Sequence, residues 1–371
     1  MRRGALCEAG DPSSPEGLTL FLDALAARFG GTAYAAVQLA AALDRHPAVQ
    51  RVLVACRSGS IVDRGTIRSD GVQVLDVPAR HRSELAQRIA WEALVLPRLV
   101  HANAVDGLMS FSGMLPRRLP CPLICLQANP VPYEERRSMA AAMRRSAFAH
   151  TARAAVATYV PSTHVAGLLH DLPHVRVVPL GVDRHVFTPA DRTGSELLYV
   201  SDFYAHKRHE LVLAAYSALA SPRPVLRFIG NPDVEPATFA RVRRAARELP
   251  GVVVDGHVSF DALRAAYHAA RIFVMASARE SFSMPLAEAI CVGVPAVARD
   301  HPALRETAGA GALYVRGEDP SMWTAALQRL LDDNALHARL RSAGISHGRR
   351  YSWEVMADQL VADIAEAGRR R

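Results

Sequence analysis

The strongest constraint on this chain is a repeating alternation of short apolar runs with longer segments whose apolar residues recur at helical spacing. The runs Leu18–Leu22, Arg51–Cys56, Val72–Val77, Leu108–Phe111, Leu123–Leu126, Val156–Val160 and Val175–Pro179 mark the first half. Most are apolar on both faces, as strands buried on both sides of a parallel sheet must be. Helices are expected at 33–44, 83–101 and 134–150. The second half repeats the theme, with strands at Leu197–Val200, Val225–Ile229, Val252–Asp255, Ile272–Ala276 and Ala296–Ala298. Helices are expected there at 207–220, 236–248, 260–270, 285–291, 320–332, 334–349 and 352–368. Such alternation implies two doubly wound α/β domains. The length of 371 residues suits two domains. In open sheets of this kind ligands sit beyond the carboxyl ends of the strands, which points to the cleft between the domains.

Residues 1–17 are rich in Gly, Pro and Ser and read as a flexible tail; the turn-rich stretch Gly181–Ala190 reads as the interdomain linker. The domains are therefore expected at 18–185 and 190–350. No apolar run reaches the length of a membrane span or of a signal-peptide core, so a cytoplasmic protein is expected. The five cysteines (Cys7, Cys56, Cys121, Cys125 and Cys291) form no C-x-x-C pair and read as reduced thiols.

The chain has a net charge of +8, and its 44 basic residues are all arginine except Lys207. A lone compact ammonium in a background of guanidinium groups is a marked residue, because the two cations recognise anions differently. Residues 1–190 carry 21 basic and 15 acidic groups, an excess that suits an anionic partner. Nucleic acid is not expected as that partner: the pairs Arg117-Arg118, Arg136-Arg137 and Arg144-Arg145 lack interleaved aromatics, and no zinc-finger, helix-turn-helix or RNP pattern occurs.

The sharpest motif is Ala278–Ala289, which follows a strand and opens a helix. Pro285 is tolerated only in a first turn and fixes the helix start, with Ser283 as its expected cap. Glu280 then lies in the loop and Glu288 in the first turns. The free N–H groups of residues 283–286 would take an anion while the carboxylates accept sugar hydroxyls. Lys207 follows a strand of the same domain and would meet the same phosphate. Gly30-Gly31 holds the equivalent place in the first domain, where backbone can approach a ligand closely. The chain lacks a phosphate-binding P-loop, a dinucleotide fingerprint, a nucleophile elbow, H-E-x-x-H and any D-x-D pair.

Over about residues 18–368 these features resemble the family 4 glycosyltransferases (glycosyl transferases group 1), retaining enzymes of the GT-B fold. Glu280 and Glu288 stand in that family's E-x7-E arrangement, and Lys207 at its diphosphate-binding lysine. Gly30-Gly31 matches its glycine loop, and Val177–Asp183 followed by Phe187 its interdomain stretch. The resemblance implies two Rossmann-like domains facing a cleft, acceptor domain first and donor domain second, with the helix 352–368 crossing back. It implies transfer of a sugar from a nucleotide diphosphate, UDP- or GDP-linked, to an acceptor hydroxyl, with no metal and no cofactor. Lys207 and Glu280 would be catalytic, with Glu280 holding the transferred sugar. Glu288 would accept the ribose hydroxyls, and Gly30, Gly31, Ser281, Phe282, Ser283 and Met284 would line the donor. Val258 would contact the base through its backbone. The family's usual Arg before the Lys is replaced by Ser201 or Asp202, with Arg208 as the substitute cation. Its first-domain His is replaced by the segment holding Gln127 and Asn129, which become the acceptor-side candidates. The acceptor is either lipid-linked, with the Arg-rich helix 134–150 touching an anionic membrane at its inner face, or a small soluble molecule. Two other readings are an epimerase or phosphorylase on the same fold and a non-catalytic nucleotide-sugar-binding subunit.

Overall fold

The structure is a computed structural model. It describes residues 17–27, 30–60, 62, 71–77, 84–111, 113, 115, 119–134, 138–189 and 194–370. Expectations for the tail 1–16, for Cys7 and for the pairs at 117–118 and 136–137 fall outside these residues.

Two all-parallel sheets organise the chain. The first contains β1 (Leu18–Asp23), β2 (Val49–Arg57), β3 (Val72–Val77), β4 (Gly107–Ser110), β5 (Leu123–Leu126), β6 (Ala157–Val160) and β7 (Val175–Val177), in the order β3-β2-β1-β4-β5-β6-β7. The second contains β8 (Glu196–Val200), β9 (Leu226–Ile229), β10 (Val252–Asp255), β11 (Ala270–Met275), β12 (Ala296–Arg299) and β13 (Ala312–Val315), in the order β10-β9-β8-β11-β12-β13. Each order reverses direction once, between β1 and β4 and between β8 and β11. These are the switch points where a doubly wound sheet opens a crevice. The central strands are buried over most of their length: Leu20, Phe21, Leu22 and Val52–Cys56 in one sheet, Ile272–Met275 in the other. This double-sided burial is why their runs are apolar without alternation.

Several elements differ from the sequence expectation. Glu84–Leu94 and Leu96–Ala102 are two helices rather than one. Pro97 lies in the first turn of the second, because its ring cannot follow a helical carbonyl four residues earlier. The segment expected as helix 134–150 is a short turn, Val131–Glu134, followed by Met139–Ala154. Ser138 caps the latter by accepting from the Ala141 N–H at 3.3 Å. The helix expected from residue 33 begins at Gly30, three residues earlier. Three short elements escaped the pattern: the helices Thr163–Leu168 and Pro302–Ala308 and the edge strand β13. Cys56, Cys121, Cys125 and Cys291 are buried, and Cys125 and Cys291 are free thiols. Among the described residues no helix is long and apolar enough to cross a membrane.

The last helix, Trp353–Arg369, leaves the second sheet and lies on the first. Its carboxylate Asp363 is buried. It accepts from the Tyr159 hydroxyl on β6 at 2.7 Å, from Arg176 on β7 and from Gln359 at 2.9 Å. Gly107 at the start of β4 admits this helix, since a Cβ there would run into Ile364. Asp363→Ala strips the Tyr159 hydroxyl and the Arg176 guanidinium of their shared acceptor. We expect a loss of about 3 kcal/mol, the usual scale for breaking a buried charged hydrogen bond, measured by urea unfolding.

Candidate active site

The carboxyl ends of β1, β8 and β11 meet around an interdomain cavity of about 530 Å3. Gly30, Gly31, Lys207, Glu280, Ser281, Phe282, Ser283, Met284 and Glu288 all line it. The helix Gly30–Asp44 enters from the first domain and the helix Met284–Val292 from the second. Their N-termini face one another: a Cβ on Gly31 would lie 3.3 Å from the Met284 sulfur. Each end offers backbone N–H groups without intrahelical partners and the positive end of a helix dipole. Gly30 has φ +68°, a conformation glycine adopts at no steric cost. Two opposed helix N-termini make a site for an anion with charge on both sides, such as a diphosphate.

Lys207 and Glu280 reach the cavity from two strands of one sheet. The Lys207 Nζ donates to Glu280 Oε1 at 2.6 Å, and both side chains are largely shielded from solvent. Lys207 lies at the end of a 3₁₀ turn, Ala205–Lys207, whose terminal carbonyl is held by the Tyr199 hydroxyl. The loop carrying Glu280 is held from outside the cavity. The Ser162 hydroxyl of the first domain donates to the Ser281 carbonyl at 2.6 Å, and the Thr307 hydroxyl to the Phe282 carbonyl.

Glu288 is buried, and its Oε2 accepts from the Tyr267 hydroxyl at 2.7 Å. Burial pushes its carboxyl up to about 8, against a smaller opposing effect of the Tyr267 hydrogen bond. Tyr34, on the first domain's helix, also lines the cavity. Its hydroxyl is buried without a hydrogen-bond partner. Burial, with Glu288 and Asp183 nearby, raises its pKa and keeps it a proton donor.

Ser283 departs from its expected role. It occupies the N-cap position, but at φ +78° and ψ +81°, and its side chain caps nothing. The Ser283 Oγ is buried with no hydrogen-bond partner. A non-glycine residue in this region is strained by about 1–3 kcal/mol.

Other candidates stand elsewhere. Arg208 pairs with Glu318 at 2.9 Å and is not among the residues lining the cavity. Val258 packs on the core, while Phe260 and Leu263 reach the cavity. The Gln127 side chain accepts from the Asn129 N–H at 3.2 Å, and the Asn129 side chain from the Val131 N–H at 3.1 Å; between them only Ala128 lines the cavity. Sequence reasoning missed Tyr34, Asp202, Tyr204 and His206 as lining residues. Asp202 and Tyr204 follow directly on β8, and Tyr34 is one helical turn beyond Gly30. Both offsets were available as signals.

Residues 194–333 match the family model described as Glycosyl transferases group 1. The D-inositol 3-phosphate glycosyltransferase of Corynebacterium efficiens is 29% identical over 233 residues, covering 55% of this chain and 54% of that protein. The one from Geodermatophilus obscurus is 31% identical over 215 residues, 52% and 47% respectively. The chain thus spans about half the length of the curated relatives it matches. Among solved structures, sucrose-phosphate synthase from Thermosynechococcus elongatus superposes with a TM-score of 0.82 at 18% identity, covering 95% of this chain and all of that one. Anabaena HepE in complex with UDP-glucose gives 0.75 at 14% identity, covering 94% of this chain and all of HepE. The fold is GT-B: two Rossmann-like domains facing a cleft.

Two outcomes follow from the buried groups. Ser283→Gly relieves the strain and removes an orphaned hydroxyl, so it should stabilise the fold by about 1 kcal/mol in thermal unfolding. Glu288 keeps its proton in the folded state up to about pH 8, whereas unfolded glutamate loses it near 4.5. The folded state therefore binds the extra proton between these values. Stability from this group is full below about 4.5 and falls as pH rises through 8. Glu288→Gln should flatten that fall in a pH series of melting curves.

Proposed function

We propose that the protein is a retaining glycosyltransferase that moves a sugar from a nucleotide diphosphate sugar to an acceptor hydroxyl, without a catalytic metal. The observation that carries this reading is the pair of opposed helix N-termini with Lys207 and Glu280 between them. Breaking the bond to the diphosphate puts negative charge on the leaving phosphate. Lys207 and the N–H groups of Gly30, Gly31, Ser283, Met284 and Leu286 are fixed donors aimed at that charge, and such preorganised stabilisation is the largest single contribution in many enzymes. Glu280, already bonded to Lys207, accepts hydroxyls of the transferred sugar and keeps the ammonium in register. Glu288 accepts the ribose hydroxyls, and Tyr34 closes the same end of the cavity from the first domain.

Retention follows from front-face attack, in which the departing phosphate takes the acceptor's proton. Among the described residues that line the cavity, none pairs a nucleophile with a base in a way that would support a covalent route. The acceptor approaches from the first domain, whose basic excess suits an anionic molecule, either a small soluble one or a lipid-linked one. The helix Met139–Ala154 exposes Met139 and Met143 beside Arg144, a pattern that suits peripheral contact of a cytoplasmic enzyme with an anionic membrane.

The deciding experiment incubates the protein with UDP-, GDP-, ADP- and dTDP-sugars, with and without EDTA, and reads released nucleotide by mass spectrometry. One donor is expected to be cleaved slowly in both conditions. Lys207→Ala should lower kcat by ~10²–10³ on the scale of losing one oxyanion donor; a loss under threefold removes Lys207 from the phosphate. Glu288 adds a second check. Ribose hydroxyls stabilise its charged form, so nucleotide binding at pH 7 should expel a proton. Calorimetry in buffers of different ionisation enthalpy should show that release, and Glu288→Gln should abolish it.

A further inference from the structure

Next to the loop that carries Arg279 and Glu280, three side chains from three separate elements converge on one point of the domain seam. Glu134 ends the turn Val131–Glu134, His164 stands in the first turn of Thr163–Leu168, and His301 precedes Pro302–Ala308. One ligand atom from each lies within 4.8 Å of the other two. The His164 Nε2 is 3.6 Å from Glu134 Oε1, and the two imidazoles meet edge to face with centroids 4.9 Å apart. Two of the polar atoms, His164 Nε2 and Glu134 Oε2, are closed off from solvent and make no hydrogen bond. Buried polar atoms are almost always satisfied, so a pair of orphans at one point calls for a missing partner.

We propose that Glu134, His164 and His301 form a site for a divalent transition-metal ion of the zinc class, bridging the two domains. Two imidazoles and one carboxylate are a three-ligand set that suits zinc or cobalt and leaves a fourth position for water. Calcium or magnesium would demand more oxygen ligands than the cluster holds. Two features oppose the ion, and both are small. The His301 Nδ1 accepts the Ala303 N–H at 3.2 Å, so coordination through Nε2 moves the ring proton and gives up this single cap. Arg279 stands 3.8 Å from Glu134 Oε2 and competes for the carboxylate. Structural zinc affinities are an order of magnitude larger than the cap, so the ion prevails.

The position gives the ion a defined effect. Glu134 and His164 belong to the first domain and His301 to the second, so the ion would need both domains together at this seam. The same seam holds the Thr163 hydroxyl and N–H on Glu306 at 2.6 and 2.8 Å. The ion therefore holds the two domains together at the seam and takes no part in sugar transfer. The inference does not depend on the glycosyltransferase reading.

Untagged protein titrated with CoCl2 should develop the intense visible bands of four-coordinate cobalt, and ZnCl2 should displace them stoichiometrically. Calorimetry should give one zinc ion per chain at micromolar affinity. His164→Ala and His301→Ala should each weaken zinc at least tenfold, whereas the exposed His170→Ala should not. Arg279→Ala removes the competing cation and should tighten zinc several-fold, a change a merely structural pairing would not produce. Weak six-coordinate cobalt bands, or zinc affinity unaltered in His301→Ala, overturn the proposal. Circular dichroism of each variant separates loss of the site from loss of the fold.

Discussion

The cleft depends on where the last helix is pinned. Two parallel sheets have no reason to oppose their carboxyl edges; each alone is a complete layered unit. The helix Trp353–Arg369 belongs by connection to the second and by contact to the first, and Asp363 fixes it there by gathering Tyr159, Arg176 and Gln359 around one buried carboxylate. With that helix fixed, the N-termini of Gly30–Asp44 and Met284–Val292 face each other across a gap set by Gly31 and Met284. Everything proposed for the diphosphate follows from that opposition. A side chain at Gly107 or a neutral residue at Asp363 would disturb it without touching the cavity wall.

The charge distribution in the cleft is lopsided. Among the lining residues Lys207 stands against three carboxylates, Asp202, Glu280 and Glu288. An anion is therefore attracted less by net charge than by local donors: one ammonium and two sets of backbone N–H groups. Glu280 is coupled to Lys207, and burial holds Glu288 mostly neutral at pH 7. The site thus keeps its carboxylates available as hydrogen-bond acceptors while limiting the negative charge that the proposed diphosphate would meet. Arg208, committed to Glu318 outside the cavity, leaves the burden on Lys207.

Much of this was legible in the sequence because buried parallel strands leave an unmistakable apolar trace and because Pro285 fixes a helix start. The lone lysine and the two glutamates eight residues apart led to the wall of one cavity. What could not be read has physical reasons. Ser before a Pro-opened helix reads as a cap, yet the loop at Ser283 takes a left-handed turn and its hydroxyl is not used for capping. Pro97 splits a continuous apolar periodicity into two helices. Tyr34 and Ser162 act across the domain boundary, and no local pattern announces a contact made over more than a hundred residues. Short elements such as Thr163–Leu168 and β13 carry too few periods to register.

The bond from Ser162 to the Ser281 carbonyl has a consequence for modularity. The family match covers residues 194–333, as though the second half were an interchangeable cassette. Yet the loop that presents Glu280 takes part of its shape from a hydroxyl in the first half, and Thr163 and Glu306 tie the same seam. Recombination that exchanges one half for a relative's must carry these seam residues along, or the grafted loop arrives without its template. Compatibility between halves is thus inherited through a few hydroxyl and carboxylate pairs at the boundary, not through the folds of the halves themselves.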